Sequence, residues 1–181
     1  MRADAVRNLT AVLQAGARLL AEDPGTSMAA IAAAAGVDRT TVHRRFASRE
    51  ALLSAVFQAK LDSAEQVLDE ARLTEAPVPV ALHRYLEGII PVSRQWPVDT
   101  RRMMQKDPEA GTRRQEQSAR LDAFVRRTID EGHLRPGTDP AWARAVLDGL
   151  VDTAAHEFPA MDPPQAADLV SGTFLRGLGV T

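Results

Sequence analysis

The chain has 181 residues, 45% of them hydrophobic and 25% charged, a balance that excludes overall disorder and suits one or two small packed domains. It contains no cysteine, which excludes disulfides and thiolate metal sites and fits a reducing cytoplasm. The net charge of −2 is uninformative as a sum, but residues 1–58 hold seven arginines against five acids, so a mildly basic head precedes an acidic body,.

No apolar run has the length of a signal peptide or a membrane span, so a soluble cytoplasmic protein is expected. The first helix is expected over about Ala3 to Ala21, where Val6, Leu9, Leu13, Gly16, Ala17 and Leu20 recur at spacings of three and four,. Asp23-Pro24-Gly25 ends it,. Ser27 can cap a second, alanine-rich helix with Met28, Ile31, Ala32 and Ala35 on one face, and Gly36 follows where the backbone turns left-handed,. Asp38 caps a short third helix. Its apolar residues are Val42 and Phe46, and its other face carries Arg39, Thr40, Thr41, His43, Arg44 and Arg45. Helix, glycine turn and short cationic helix form a helix-turn-helix pattern. The same pattern also describes an ordinary helical hairpin with a solvated basic face.

Ser48 caps a fourth helix running to about Arg72, with Leu52, Leu53, Val56, Phe57, Leu61, Val67 and Leu68 on a broad apolar side. At 1.5 Å per residue it is about 36 Å long, enough to bridge a head and a second domain. A break at Glu75–Pro79 precedes a fifth helix over Val80 to Ile90, which Pro91 is expected to end,. A sixth is expected over Arg101 to Gln105. Asp107-Pro108, Asp139-Pro140 and Asp162-Pro163 mark the starts of the last three, since a capping carboxylate precedes a proline whose missing N–H costs nothing in the first turn,. No stretch alternates as a strand would. The expected fold is all-α with about nine helices, divided into a head (1–47) and a body (48–181).

No nucleophile elbow or phosphate-binding loop occurs. The four histidines, His43, His83, His133 and His156, are scattered. Asp152 and His156 share a helix face, where an i,i+4 ion pair is a better reading than a metal site. Neither an enzyme nor a cofactor or metal site is expected.

IAAAAGV, the short polar helix, Phe46 and then Ser48-Arg49-Glu50-Ala51-Leu52-Leu53 resemble the DNA-binding domain of the tetracycline-repressor (TetR) family over about the first 57 residues. Asp38, Thr40, His43 and Arg49 depart from that family's usual serine, glycine, tyrosine and lysine. The resemblance implies a helical transcriptional regulator, a repressor that binds a palindromic DNA operator as a homodimer and is released by a small molecule. On that reading Arg39 and Arg44 can donate to guanine edges, and the methyl of Thr40 or Thr41 can meet thymine. Thr26, Ser27, His43 and Arg49 are placed by the resemblance on phosphates. The resemblance also implies dimerisation through the last two helices, and a ligand-binding body whose candidate lining is Tyr85, Trp96, Met103, Met104 and Phe124. Each of these residue types is more often ordinary core than a ligand contact. The competing readings are a helical-bundle enzyme and a DNA-independent helical adaptor.

Overall fold

A computed structural model describes residues 2–98 and 107–178. Among these the fold is all-helical, with eight helices: α1 (Arg2–Glu22), α2 (Met28–Ala34), α3 (Arg39–Arg45), α4 (Arg49–Ala71), α5 (Val78–Gln95), α6 (Pro108–Asp130), α7 (Pro140–His156) and α8 (Pro163–Leu178). The short helix expected over Arg101 to Gln105 lies outside the described residues. The chain forms two compact units, Met1–Leu61 with Gln95–Thr112, and Asp62–Arg94 with Arg113–Thr181. The chain passes between them inside α4, at the end of α5 and inside α6.

In the first unit, α1, α2 and α3 enclose a small core with the first half of α4. Val12, Ala17 and Leu20 of α1, Ile31 and Ala32 of α2, Val42 of α3, and Leu52 and Val56 of α4 are buried. The valine, leucine and isoleucine side chains among these stabilise by about 1.5–3 kcal/mol each when fully removed from water. Gly16 lets α1 approach α4 closely, since a Cβ there would lie 3.1 Å from a Leu52 methyl. Ser48 caps α4, its Oγ accepting the Ala51 N–H at 3.1 Å. Further along α4, Phe57 and Leu61 pack with Ala110 at the start of α6. The Asp107 carboxylate caps α6 by accepting the Ala110 N–H at 3.0 Å, and it also accepts the Ser54 hydroxyl at 2.6 Å. These bonds hold its pKa below the usual carboxylate range, the Ser54 bond most of all,.

In the second unit, the apolar face of α5 buries Val78, Ala81, Leu82, Tyr85, Leu86, Ile90 and Val92. It meets α4 at Gly88, where an added Cβ would come within 2.8 Å of both Val67 methyls. Pro91 does not end α5. The helix continues to Gln95 with the proline inside it, because Ile90 and Val92 on either side are buried and Arg94 anchors the far end. The burial of those neighbours offsets the backbone bond that proline cannot make.

Arg94 donates to the carbonyls of Met161 (2.8 Å), Ala154 (3.0 Å) and Phe158 (3.1 Å), neutralising the negative end of α7,. Arg127 holds the α4–α5 loop by donating to the carbonyls of Leu73 and Ala76 at 2.8 and 2.9 Å. Arg144 is buried between the carboxylates of Asp122 (2.7 Å) and Asp148 (3.1 Å). Asp139 caps α7, accepting the Trp142 N–H at 2.8 Å, with Pro140 in the first turn. α7 and α8 pack together, yet Trp142 and Leu169 stay 62% and 53% exposed.

Candidate nucleic-acid interface

The candidate interface is assembled from three local devices. Ser27 caps α2, its Oγ accepting the Ala30 N–H at 3.1 Å,. At the other end, the Gly36 N–H reaches the Ala33 carbonyl (3.1 Å) and the Val37 N–H reaches Ala32 (3.0 Å). That is the double bond pattern of a Schellman stop, with Gly36 at φ +66°,. Asp38 then caps α3 by accepting both the backbone N–H of Thr40, at 2.7 Å, and its hydroxyl. The two bonds, the hydroxyl's first, hold the Asp38 carboxyl below the usual carboxylate range.

This orientation decides what α3 shows to solvent. Val42 and Phe46 are buried, at 1% and 6% exposure. With about 100° between successive residues, Thr40 and Arg44 lie on the side of α3 opposite Val42, flanked by Thr41 and His43. Arg39, Thr40, His43 and Arg44 are exposed and Thr41 is half-buried. Arg45, which the sequence reading put on the polar face without a role, is exposed too. Its signal was the run of basic residues that closes α3. The Arg39 Nε–H donates to His43 Nε2 at 3.3 Å, a bond that needs that ring nitrogen as an acceptor,.

The remaining candidates gather at the turn before α2. Thr26 donates its hydroxyl to the Leu19 carbonyl at 3.3 Å. Arg49, at the start of α4, donates to the Pro24 carbonyl, and its Nε is buried without a partner among the described residues. The tie to Pro24 was not readable from the sequence, since it joins residues 25 apart. It brings Arg49 to the same turn as Thr26 and Ser27. All eight candidates for DNA contact thus belong to the first unit.

The candidates for ligand contact are not brought together in this way. Tyr85 and Phe124 are buried in the second unit, Trp96 is buried in the first, and Met103 and Met104 lie outside the described residues. Burial raises the pKa of the Tyr85 hydroxyl, and the nearby Asp148 carboxylate adds to the effect,. Two surface hollows of about 590 and 480 Å³ in the second unit are lined around Arg72 and Arg120 and around Arg126 and Arg144, and neither is lined by Tyr85 or Phe124. His156 and Asp152 form the expected pair, with Nδ1 3.0 Å from the carboxylate. Among the described residues no three metal-ligating side chains stand together.

A family model of bacterial regulatory proteins, the tetR family, matches residues 12–56. In sequence the chain is 39% identical over 82 residues to the HTH-type transcriptional repressor LfrR of Mycolicibacterium smegmatis, and the match covers 45% of this chain and 43% of that repressor. The chain therefore aligns in sequence with less than half of that relative. In structure it is similar to the TetR-like transcriptional regulator LfrR from Mycobacterium smegmatis in complex with proflavine, with a TM-score of 0.72 and 28% identity over 97% of this chain and 98% of that one. It also shares the fold of AibR in complex with isovaleryl coenzyme A and operator DNA, with a TM-score of 0.69 and 22% identity over 92% of this chain and 97% of that one.

Proposed function

We propose that the chain, whose residues 12–56 match the tetR family of bacterial regulatory proteins, is a regulator of that family: a cytoplasmic repressor that binds a palindromic operator as a homodimer and is released by a small molecule. The observation that carries the proposal is the orientation of α3. A seven-residue helix, fixed at its start by Gly36 and Asp38, buries Val42 and exposes Arg39, Thr40, His43 and Arg44 together. Nucleic acid is the partner this chemistry suits, because guanidinium groups match both phosphate oxygens and the guanine edge in the major groove.

In this reading residues 1–47 are the DNA-binding head and 48–181 the body, with α4 crossing from one to the other. Arg39 and Arg44 read bases, together with Thr40 or Thr41, while Thr26, Ser27, His43 and Arg49 hold phosphates. The second copy docks on α7 and α8, where Trp142 and Leu169 would be covered. Tyr85, Trp96, Met103, Met104 and Phe124 are the proposed effector contacts. An effector that binds better to a form with wrongly spaced heads lowers DNA affinity by that same differential. Proflavine, seen with the similar LfrR, is the first effector to try. No catalytic step is assigned to the chain.

The test is selection of bound duplexes from a random library, followed by footprinting of the winners. Two similar half-sites in inverted repeat, about one helical turn apart, are expected. Recovery of no common sequence would overturn the proposal.

A further inference from the structure

We propose that His43 is a positioning residue for Arg39: as a neutral ring it accepts the Arg39 Nε–H and aims the two terminal guanidinium nitrogens outward, and as a cation it lets that side chain go. The inference rests on the DNA-reading role of α3 and adds to it a pH-dependent control of specificity. The geometry carries it. Arg39 Nε lies 3.3 Å from His43 Nε2, one helical turn away on the exposed face of α3. An imidazole nitrogen can accept that bond only while unprotonated, and a protonated ring would face a guanidinium of like charge.

An exposed arginine has several rotatable bonds, and holding Nε fixes the fork while leaving both terminal nitrogens free for a two-point contact. Releasing it costs specificity but adds a positive charge beside the duplex, which favours phosphate contact with any sequence. Protonation therefore moves specific and non-specific affinity in opposite directions. Histidine is the side chain that ordinarily changes charge between about pH 5 and 8.

α2, which packs on α3, runs Met28–Ala34 without an ionisable side chain. The charged side chains of α3 and its flanks are Asp38, Arg39, Arg44 and Arg45, then Arg49 and Glu50. Asp38 is tied to Thr40 and held below the usual carboxylate range, so it stays ionised throughout that window.

The experiment measures wild-type affinity for the best selected duplex and for a scrambled duplex, at constant ionic strength, from about pH 8 to about pH 5.5. His43→Gln, whose amide oxygen can accept the same N–H, and His43→Phe, which cannot, are run beside it. Unchanged melting curves check that both variants fold. In the wild type the ratio of specific to scrambled affinity should fall by about fivefold or more towards low pH, roughly the worth of one hydrogen bond. Loss of the phosphate contact lowers the affinity of both variants for both duplexes alike and cancels in the ratio; His43→Gln should therefore show the wild type's high-pH ratio at every pH, and His43→Phe the lowered ratio at every pH. A flat wild-type ratio, or a His43→Phe ratio equal to the wild type at high pH, overturns the inference while leaving DNA binding by α3 intact. A wild type that prefers no duplex at any pH overturns the reading of α3 and this inference with it.

Discussion

Gly36 and Gly88 are both glycines for a physical reason, but not the same one. At Gly36 the constraint is the backbone: φ is +66° and an added Cβ would meet nothing within 4 Å. Replacing it with alanine should cost about 1–2 kcal/mol, the penalty of placing an L side chain in the left-handed region. At Gly88 the constraint is space, because Val67 is short, branched and unable to swing its methyls away from an added Cβ 2.8 Å off. Gly88→Ala should therefore destabilise by about 1–3 kcal/mol, less the gain in helix propensity. Urea unfolding of Gly88→Ala alone and with Val67→Ala separates the two effects, since the double variant should recover stability and a Gly36→Ala protein has no such partner. Arg49 should behave differently from Arg44. Arg49→Ala should lower affinity for all duplexes and reduce the salt dependence of binding, with an unaltered salt slope ruling out a phosphate contact.

Among elements, α2, α3 and the start of α4 were readable because their signals are local. Ser27, Gly36, Asp38 and Ser48 each act within three residues of themselves, and hydrogen bonds of the expected kind are found at all four. The body was read less well because its ordering is long-range. Nothing near Pro91 announces that α5 runs on, since the reason is burial of its neighbours and the Arg94 anchor on carbonyls 60 or more residues away. Nor could the spacing of apolar residues separate Trp142, which is exposed, from Leu147, which is buried. The proposed effector contacts were the least readable of all. They were chosen by residue type, and burial cannot tell a core aromatic from one that lines a site.

The Asp107 joint between α4 and α6 supplies an element-scale test. Its carboxyl has a lowered folded pKa, so its stabilisation is complete above the unfolded value of about 3.9 and is lost as pH falls through the lower folded value. Asp107→Asn should flatten the acid limb of the stability curve, measured by urea unfolding between about pH 2 and 6. A limb as steep as the wild type's would place the acid sensitivity elsewhere.

At the scale of the whole molecule, a basic face seven residues long is too small to select one site in a genome. Two copies held at a fixed spacing read twice the sequence, which is how helix-turn-helix proteins reach useful specificity. The exposed Trp142 and Leu169 are the surface proposed to hold those copies together. Sedimentation of the wild type should give a dimer, and Trp142→Glu should shift it towards monomer and weaken binding to a two-half-site duplex far more than to a single half-site. Equal losses on both duplexes would separate dimerisation from DNA reading.

Specific DNA reading is proposed to depend most on the outward face of α3. Its most direct measurement is a fluorescence-anisotropy titration of the selected duplex and a scrambled one, at one stated salt concentration, with the wild type and with Arg44→Ala. The wild type should prefer the selected duplex by at least about a thousandfold, and Arg44→Ala should lose about 1–3 kcal/mol of that preference with little change on the scrambled duplex. Identical titrations of both duplexes by wild type and variant would contradict it.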